Sequence, residues 1–542
     1  MLQVRITAMP MTDPARSRLT RWAAAAFTLD ARSLAIYRIG LGLLLFVDSL
    51  LRTRDFSLMF TPRGIFPLPA IAEYYGDPTN WSVACWHEAA WWSGLVLAMQ
   101  GLAGIAVALG YRTRLFTVIG WVALVSVVRR TAPATNAGDM WLGCQLLWSM
   151  FLPLGDWWSL DARCRATEAG SAENSGRPPR PVAVFSIASA ALVLQLVAVY
   201  WGAGFSKCNQ TWFEGEALTH ALSVHDHGTP LGMLLAEFPI VAWAAKWAVL
   251  GGEIMLPLAL VTATGPIVRG GIVLAFIAFH SMIWLTMSVG LFAPIGMVAW
   301  LPLIPSAWWP QPASQSAVEA ARLRPAASWA CSLAAALAAV SFVHQVTPWQ
   351  SRPLPRWLAA SLNLTALRQA WAMFALVPAQ EQWIYSRAVL ADGSTVDVLR
   401  DGRPVEPVRP AGGFCSLAHH RWHKFFWVLP RPQTRMFTGP TAAALADDWN
   451  RRVTADHQIR SLEIHFAVQP GGSGADGAVR DALIASWPTR SSGGSGNLER
   501  FLQANDVADA FPRGTPRPAA DRSASSGRSR PASSLTRLPP PR

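Results

Sequence analysis

Lysine is nearly missing from this chain. Of 46 basic side chains only three, Lys207, Lys246 and Lys424, are lysine. Arginine keeps its proton in a protein, whereas a partly desolvated lysine can give one up, so a lysine retained among arginines is a candidate base. Cysteine is scarce too: there are six, none in a Cys-x-x-Cys pair, which excludes a thioredoxin-like, zinc-ribbon or c-haem site. Charge is thin at 15% of residues, against 52% hydrophobic and 27 tryptophans in 542 residues. A soluble fold has no use for so much apolar surface. The formal charge of +13 is scattered through loops and a terminal tail with no basic-aromatic module, so it reads as membrane topology and tail composition, not as nucleic-acid binding.

What is present is a series of long apolar runs. Judged against the roughly 20 residues that cross a hydrocarbon core, they predict about nine spans: 33–52, 91–110, 113–129, 140–155, 182–204, 239–262, 269–287, 289–305 and 327–347. The segment 140–155 is short, and is expected to be tilted or partly spanning. With the N-terminus inside, inner segments carry fourteen arginines and short outer loops six basic residues, the expected positive-inside bias. The orientation places residues 1–32 in the cytoplasm and everything after about residue 348 outside. No cleavable signal peptide is expected, because the first strong apolar run is long enough to stay in the membrane.

Beyond the last span, residues 348–470 are less apolar. Turn signals at Asp392-Gly393 and Asp401-Gly402 separate β-type runs Trp383–Leu390 and Thr395–Leu399, Ser461–Val468 reads as a further strand, and Ala442–Val453 as a helix. The fold class is therefore mainly α: a polytopic helical membrane bundle with a small β-rich extracytoplasmic domain. From residue 471 the chain is rich in Gly, Ser, Pro and Arg, with a weak helical signal near Leu498–Ala510, and is expected to be a disordered tail. Cys85, Cys208 and Cys415 face the oxidising side in this topology. A Cys85–Cys415 bridge would tie the first outer loop to the terminal domain, although connectivity does not follow from sequence.

Charges inside apolar runs are costly in lipid and face one another or an internal cavity. Arg38, Asp48, Asp139, Lys246, Glu253 and His280 lie in or beside such runs. Asp48 and Arg52 are four apart and can pair on one helix face, and Lys246 and Glu253, seven apart, share a face without touching. Lys207 ends the run Val182–Gly204, where snorkelling to the interface is the simplest account of its position. The cluster His225-Asp226-His227 and the histidines His419, His420 and His423 lack a third ligand at convincing spacing, so no metal site is expected.

One stretch carries more. Tyr200-Trp201-Gly202-Ala203-Gly204-Phe205-Ser206-Lys207, followed by Trp212-Phe213-Glu214-Gly215, resembles the vitamin K-dependent γ-glutamyl carboxylase family and its bacterial relatives with the horizontally transferred transmembrane (HTTM) domain. Leu34-Ala35-Ile36-Tyr37-Arg38 with Asp48, Phe279-His280 with Gly290-Leu291-Phe292 and Met297, and Trp371-Ala372-Met373-Phe374 agree in order, so the resemblance covers about residues 30–470. It implies that Lys207 is the base that deprotonates a reduced vitamin K-like naphthoquinone. The quinol then takes up O₂ to give an epoxide, and the strong base so formed lets CO₂ add to a glutamate-containing peptide, without metal. Asp139 and His280 would assist as polar groups. Trp201, Phe205, Trp212, Glu214 and Arg38 would line the quinol site, Arg38 as a structural or electrostatic element. Asp139 stands where the family carries histidine, in Asn136-Ala137-Gly138-Asp139-Met140-Trp141-Leu142, which bears on carboxylation more than on quinol oxygenation. The expected setting is a bacterial inner membrane, with membrane lipid and quinol as partners. The alternative is a catalytically inert HTTM protein that binds lipid or quinone, or scaffolds a partner through its outer domain. A transporter is less attractive, since no inverted repeat stands out.

Overall fold

The structure, a computed structural model, describes residues 14–170, 182–214, 216–222, 227–263, 265–310, 325–375, 380–406, 408–410, 413–470, 478–489 and 495–505. His225, Asp226, Gly215 and most of the expected tail lie outside these residues.

The chain is mainly helical, with six helices long and apolar enough to cross a membrane. They include α1 (Ala31–Arg52), α2 (Ala90–Leu109), α5 (Ile187–Ser206), α6 (Pro239–Thr262), α7 (Pro266–Thr286) and α9 (Pro325–Val346). Three of the nine expected spans are helical but do not qualify. The helix α3 (Thr113–Arg130) carries Arg114, Arg129 and Arg130, and the latter two are buried, donating to backbone carbonyls of Trp81, Asn363 and Phe66. The helix α4 (Ala137–Ser149) has 13 residues, about 20 Å of rise against a core of about 30 Å. The helix α8 (Phe292–Trp300) is shorter still. The helix α5 is the most enclosed of the six long ones, whereas α6, α7 and α9 turn most of their apolar surface outward, as lipid-facing helices do. Residues 14–27 of the N-terminal segment add a helix whose Trp22 donates to the Val261 carbonyl.

The C-terminal region contains a five-stranded antiparallel sheet in the order β3-β2-β1-β4-β5: β1 (Gln380–Leu390), β2 (Thr395–Asp397), β3 (Arg403–Pro404), β4 (Ile459–Pro470) and β5 (Arg480–Trp487). Both turn signals hold. Gly393 turns β1 into β2, and Asp401-Gly402, each with positive φ, turns β2 into β3. The expected tail starts too early at residue 471. The strand β5 pairs with β4 from Leu462↔Trp487 to Val468↔Arg480, and the helix α13 (Ser495–Ala504) follows, burying Leu502. The strand's centre, Ala482–Ala485, is apolar, but Gly- and Ser-rich stretches on both sides dominate the composition of the window and disguised it.

The helices α10 (Arg356–Leu364), α11 (His420–Val428) and α12 (Thr438–Asn450) join the bundle to the sheet. A single apolar core runs from Met59, Phe60, Phe66, Ile71, Val96 and Val127 in the first half of the chain into Ile384, Phe425, Phe437, Leu462 and Phe466 in the second. The sheet is fused to one end of the bundle, not tethered beside it.

Candidate functional site

Lys207 caps the C-terminus of α5. Its Nζ lies 2.8 and 3.0 Å from the two carboxylate oxygens of Glu253 on α6, donates over 3.4 Å to the Ala203 carbonyl, and sits 5.4 Å from the Trp212 ring centroid. Lys207, Glu253 and Trp212 are all buried. The glycines of the motif create this contact. A Cβ on Gly204 would fall 2.8 Å from Ile254 Cγ1 and 3.2 Å from Glu253 Cβ, so only hydrogen lets α5 and α6 approach closely enough to join the two charges. Gly202 likewise lies against Trp371, which a Cβ would meet at 2.9 Å. The Trp212 indole donates to the Phe374 carbonyl at 2.7 Å, and Asn209 to that of Ala375 at 2.8 Å, fastening the segment after Lys207 onto Trp371–Ala375. Lys246 donates to the Phe213 carbonyl at 2.8 Å instead of facing Glu253.

Two turns back along α5, on the face that carries Lys207, the Tyr200 hydroxyl accepts from Trp300 Nε1 at 2.7 Å and lies 2.7 Å from His280 Nε2. Phe276 stacks on Trp300 with centroids 4.2 Å apart, and Trp141, Phe292 and Trp371 complete an aromatic core around His280 and Tyr200. Gly296 sits directly under the His280 ring, where a Cβ would come within 2.3 Å.

Asp139 belongs to a separate cluster. It is the N3 residue of α4, in a capping box with Asn136, and its carboxylate bridges Arg52 (2.6 Å) and Arg421 (2.9 Å). Asp48 bridges the same arginines at 2.8 and 2.7 Å and accepts from Gln100. The Asp48–Arg52 pair expected from spacing is thus present, with a second carboxylate and a C-terminal arginine added. Burial alone would raise the Asp139 carboxyl, but Arg421 and Arg52 hold it well below the usual range; the two carboxylates in turn raise Arg421 against its own burial.

The remaining expected residues are spread out. Arg38 is buried on α1 with its guanidinium directed at the carbonyls of Ala108, Leu154, Trp157 and Trp158, which fixes the turn after α4. Trp201 donates to the Ile254 carbonyl, Phe205 is exposed, and Glu214 is exposed and bonded to Gln210. The geometry thus joins Lys207 with Trp212, and places His280 with Tyr200. It puts Asp139, Arg38 and Glu214 elsewhere. Glu253 was named from sequence but not as the partner of Lys207; Tyr200, Trp300 and Arg421 carry polar contacts that no spacing announced. Lys424 lies 4.4 Å from the Trp427 ring, with its pKa pushed down to about 7 by burial and by Arg431. Among the described residues no group of three or more His, Cys, Asp or Glu could hold a metal ion. Cys85 and Cys208 are free thiols, and the side chain of Cys415 lies outside the description.

The profile of the HTTM domain matches residues 27–309, just over half of the 542-residue chain. No curated protein matches, and no solved structure does.

Proposed function

The chain belongs to the HTTM domain family, and from that premise we propose that it is a membrane enzyme in which the Lys207–Glu253 pair acts as the base toward a reduced naphthoquinone. The observation that carries this reading is the buried pair itself. Whether drawn as ammonium and carboxylate or as amine and acid, the pair is neutral and can take up one proton. A quinol hydroxyl presented to it loses that proton to the pair. O₂ then adds to the quinolate: one oxygen becomes the epoxide, the other leaves as water, and the ring is oxidised. The aromatic surroundings, Trp212 at the lysine and Tyr200, Phe276 and Trp300 two turns away, suit a flat apolar substrate arriving from lipid. The resemblance to the carboxylases extends this to CO₂ addition on a glutamate-containing peptide. In the same reading the sheet lies on the outer side of a bacterial inner membrane, above about nine spans.

One observation favours the second reading, a non-catalytic lipid- or quinone-binding protein. Asp139, at the position of the family histidine, has its oxygens engaged by Arg52, Arg421 and the Asn136 amide. The test is epoxide formation from a reduced naphthoquinone by the full chain in nanodiscs, for wild type, Lys207→Ala and Lys207→Arg. Glutamyl peptide and labelled bicarbonate are added in a second arm. Epoxide made by wild type and lost in both variants supports the base, and label in the peptide adds carboxylation. No epoxide from wild type across several quinols leaves the binding reading as the better account.

A further inference from the structure

Three buried polar atoms next to the Tyr200–His280 pair have no hydrogen-bond partner among the described residues: Trp141 Nε1, Gln145 Oε1 and His280 Nδ1. Their residues are 0%, 1% and 1% exposed. An orphaned buried polar group is expensive, so three in one place call for an occupant. The residues that carry them adjoin one another. Trp141 and Gln145 are one turn apart on α4, the Trp141 and His280 rings are 5.6 Å apart, and Gln145 Nε2 reaches the Ile295 carbonyl beside Gly296, on which the His280 ring rests. The neighbouring bonds fix what the atoms offer. Among the described contacts His280 Nε2 is the one acceptor within reach of the Tyr200 hydroxyl proton, so that proton goes to Nε2 and the neutral ring carries its own on Nδ1. The site therefore presents two donors, Trp141 Nε1–H and His280 Nδ1–H, and one acceptor, Gln145 Oε1.

A carbonyl oxygen would satisfy only the donors. A hydroxyl satisfies all three, by accepting from tryptophan and histidine and donating to the glutamine. We propose that Trp141, Gln145 and His280 form a buried binding site for one hydroxyl group carried on an apolar aromatic body. Phe292 and Trp371 pack against Trp141 as apolar walls. The site distinguishes a phenol from its ether and a hydroquinone from its quinone. It rests on the quinol reading only for the identity of the natural ligand, and gives that reading a reason to bind the reduced form.

The test uses the full chain in nanodiscs with 1-naphthol and 1-methoxynaphthalene, measured by equilibrium dialysis with protein-free nanodiscs subtracted. Wild type is expected to bind the naphthol about tenfold more tightly than the ether, the ratio that one lost hydrogen bond of ordinary strength gives. Gln145→Met should bring that ratio near one. Trp141→Phe should weaken naphthol and ether alike, since both accept from the indole N–H, and keep their ratio; the smaller ring also leaves space in the aromatic core and lowers the melting temperature of the ligand-free protein, so this variant is read by the ratio and not by stability. Equal binding of naphthol and ether, no saturable binding of either, or a ratio that survives Gln145→Met would mean that the three atoms serve buried water and would overturn the proposal. Selectivity without epoxide would count against the Lys207 chemistry alone, and epoxide without selectivity against this site alone.

Discussion

Removing one member of the Lys207–Glu253 pair should cost far more than removing both. The two charges are buried and in contact at 2.8 and 3.0 Å. Deleting one partner leaves the other uncompensated in an apolar surround, which costs about 3–5 kcal/mol. Replacing both with neutral side chains of similar length leaves no charge behind and is often close to neutral. Lys207→Met and Glu253→Gln should therefore each destabilise by about 3–5 kcal/mol, and the double variant by much less than their sum. The difference is a coupling energy of at least about 2 kcal/mol, well beyond the 0.2–1 kcal/mol range typical of exposed pairs. Reversible unfolding of the four proteins in mixed micelles measures it. A coupling below about 0.5 kcal/mol would mean that the pair is solvated, and would remove the argument that Lys207 is held in a dry site.

Two further predictions concern the seam between bundle and sheet. Arg421→Ala leaves Asp48 and Asp139 facing Arg52 alone, a buried excess of one negative charge, and should destabilise by about 3–5 kcal/mol; hydrogen exchange in residues 56–66 should rise, and adding Asp139→Asn should recover part of the loss. His420 packs on Gly290, with its pKa lowered to about 3 by burial, then by Arg421. Since the unfolded residue titrates near 6.5, the unfolded chain binds the extra proton between those values. This contribution to stability is therefore complete above about pH 6.5 and falls as the pH drops toward 3, by up to about 1.4 kcal/mol per unit. His420→Gln should flatten the pH dependence of the melting temperature in that window, and an unchanged slope would exclude His420 as its source.

The local parts of this architecture were legible. Helices at the apolar runs, the Asp-Gly turns, the strands around Trp383 and Ser461 and the Asp48–Arg52 pair all follow from periodicities of two to four residues. What was hidden depends on contacts across long stretches of chain. Spacing puts Glu253 on one helix face with Lys246 without contact and names no partner for it; it meets Lys207, because α5 and α6 touch at Gly204, 49 positions earlier. Arg421 reaches Asp139 across 282 positions. Arg38 is expected from sequence as a structural or electrostatic element at the quinol site; the carbonyls that take its guanidinium, of Ala108 in the last turn of α2 and of Leu154, Trp157 and Trp158 after α4, are 70 to 120 positions away. Apolarity showed that these charges needed partners and could not say which.

The shared core has a consequence for how the chain is made. Its first wall, Met59 to Val127, and the acidic pair Asp48 and Asp139 emerge from the ribosome well before Arg421 and the phenylalanines that cover them, 282 residues earlier for Asp139 and 373 for Asp48. Through that interval the bundle carries an open greasy face and a surplus negative charge, a surface that invites a chaperone or a misplaced neighbour. A chain stopped after α9 would keep that face permanently, so trimming the sheet away should yield an aggregating fragment and not a smaller membrane protein.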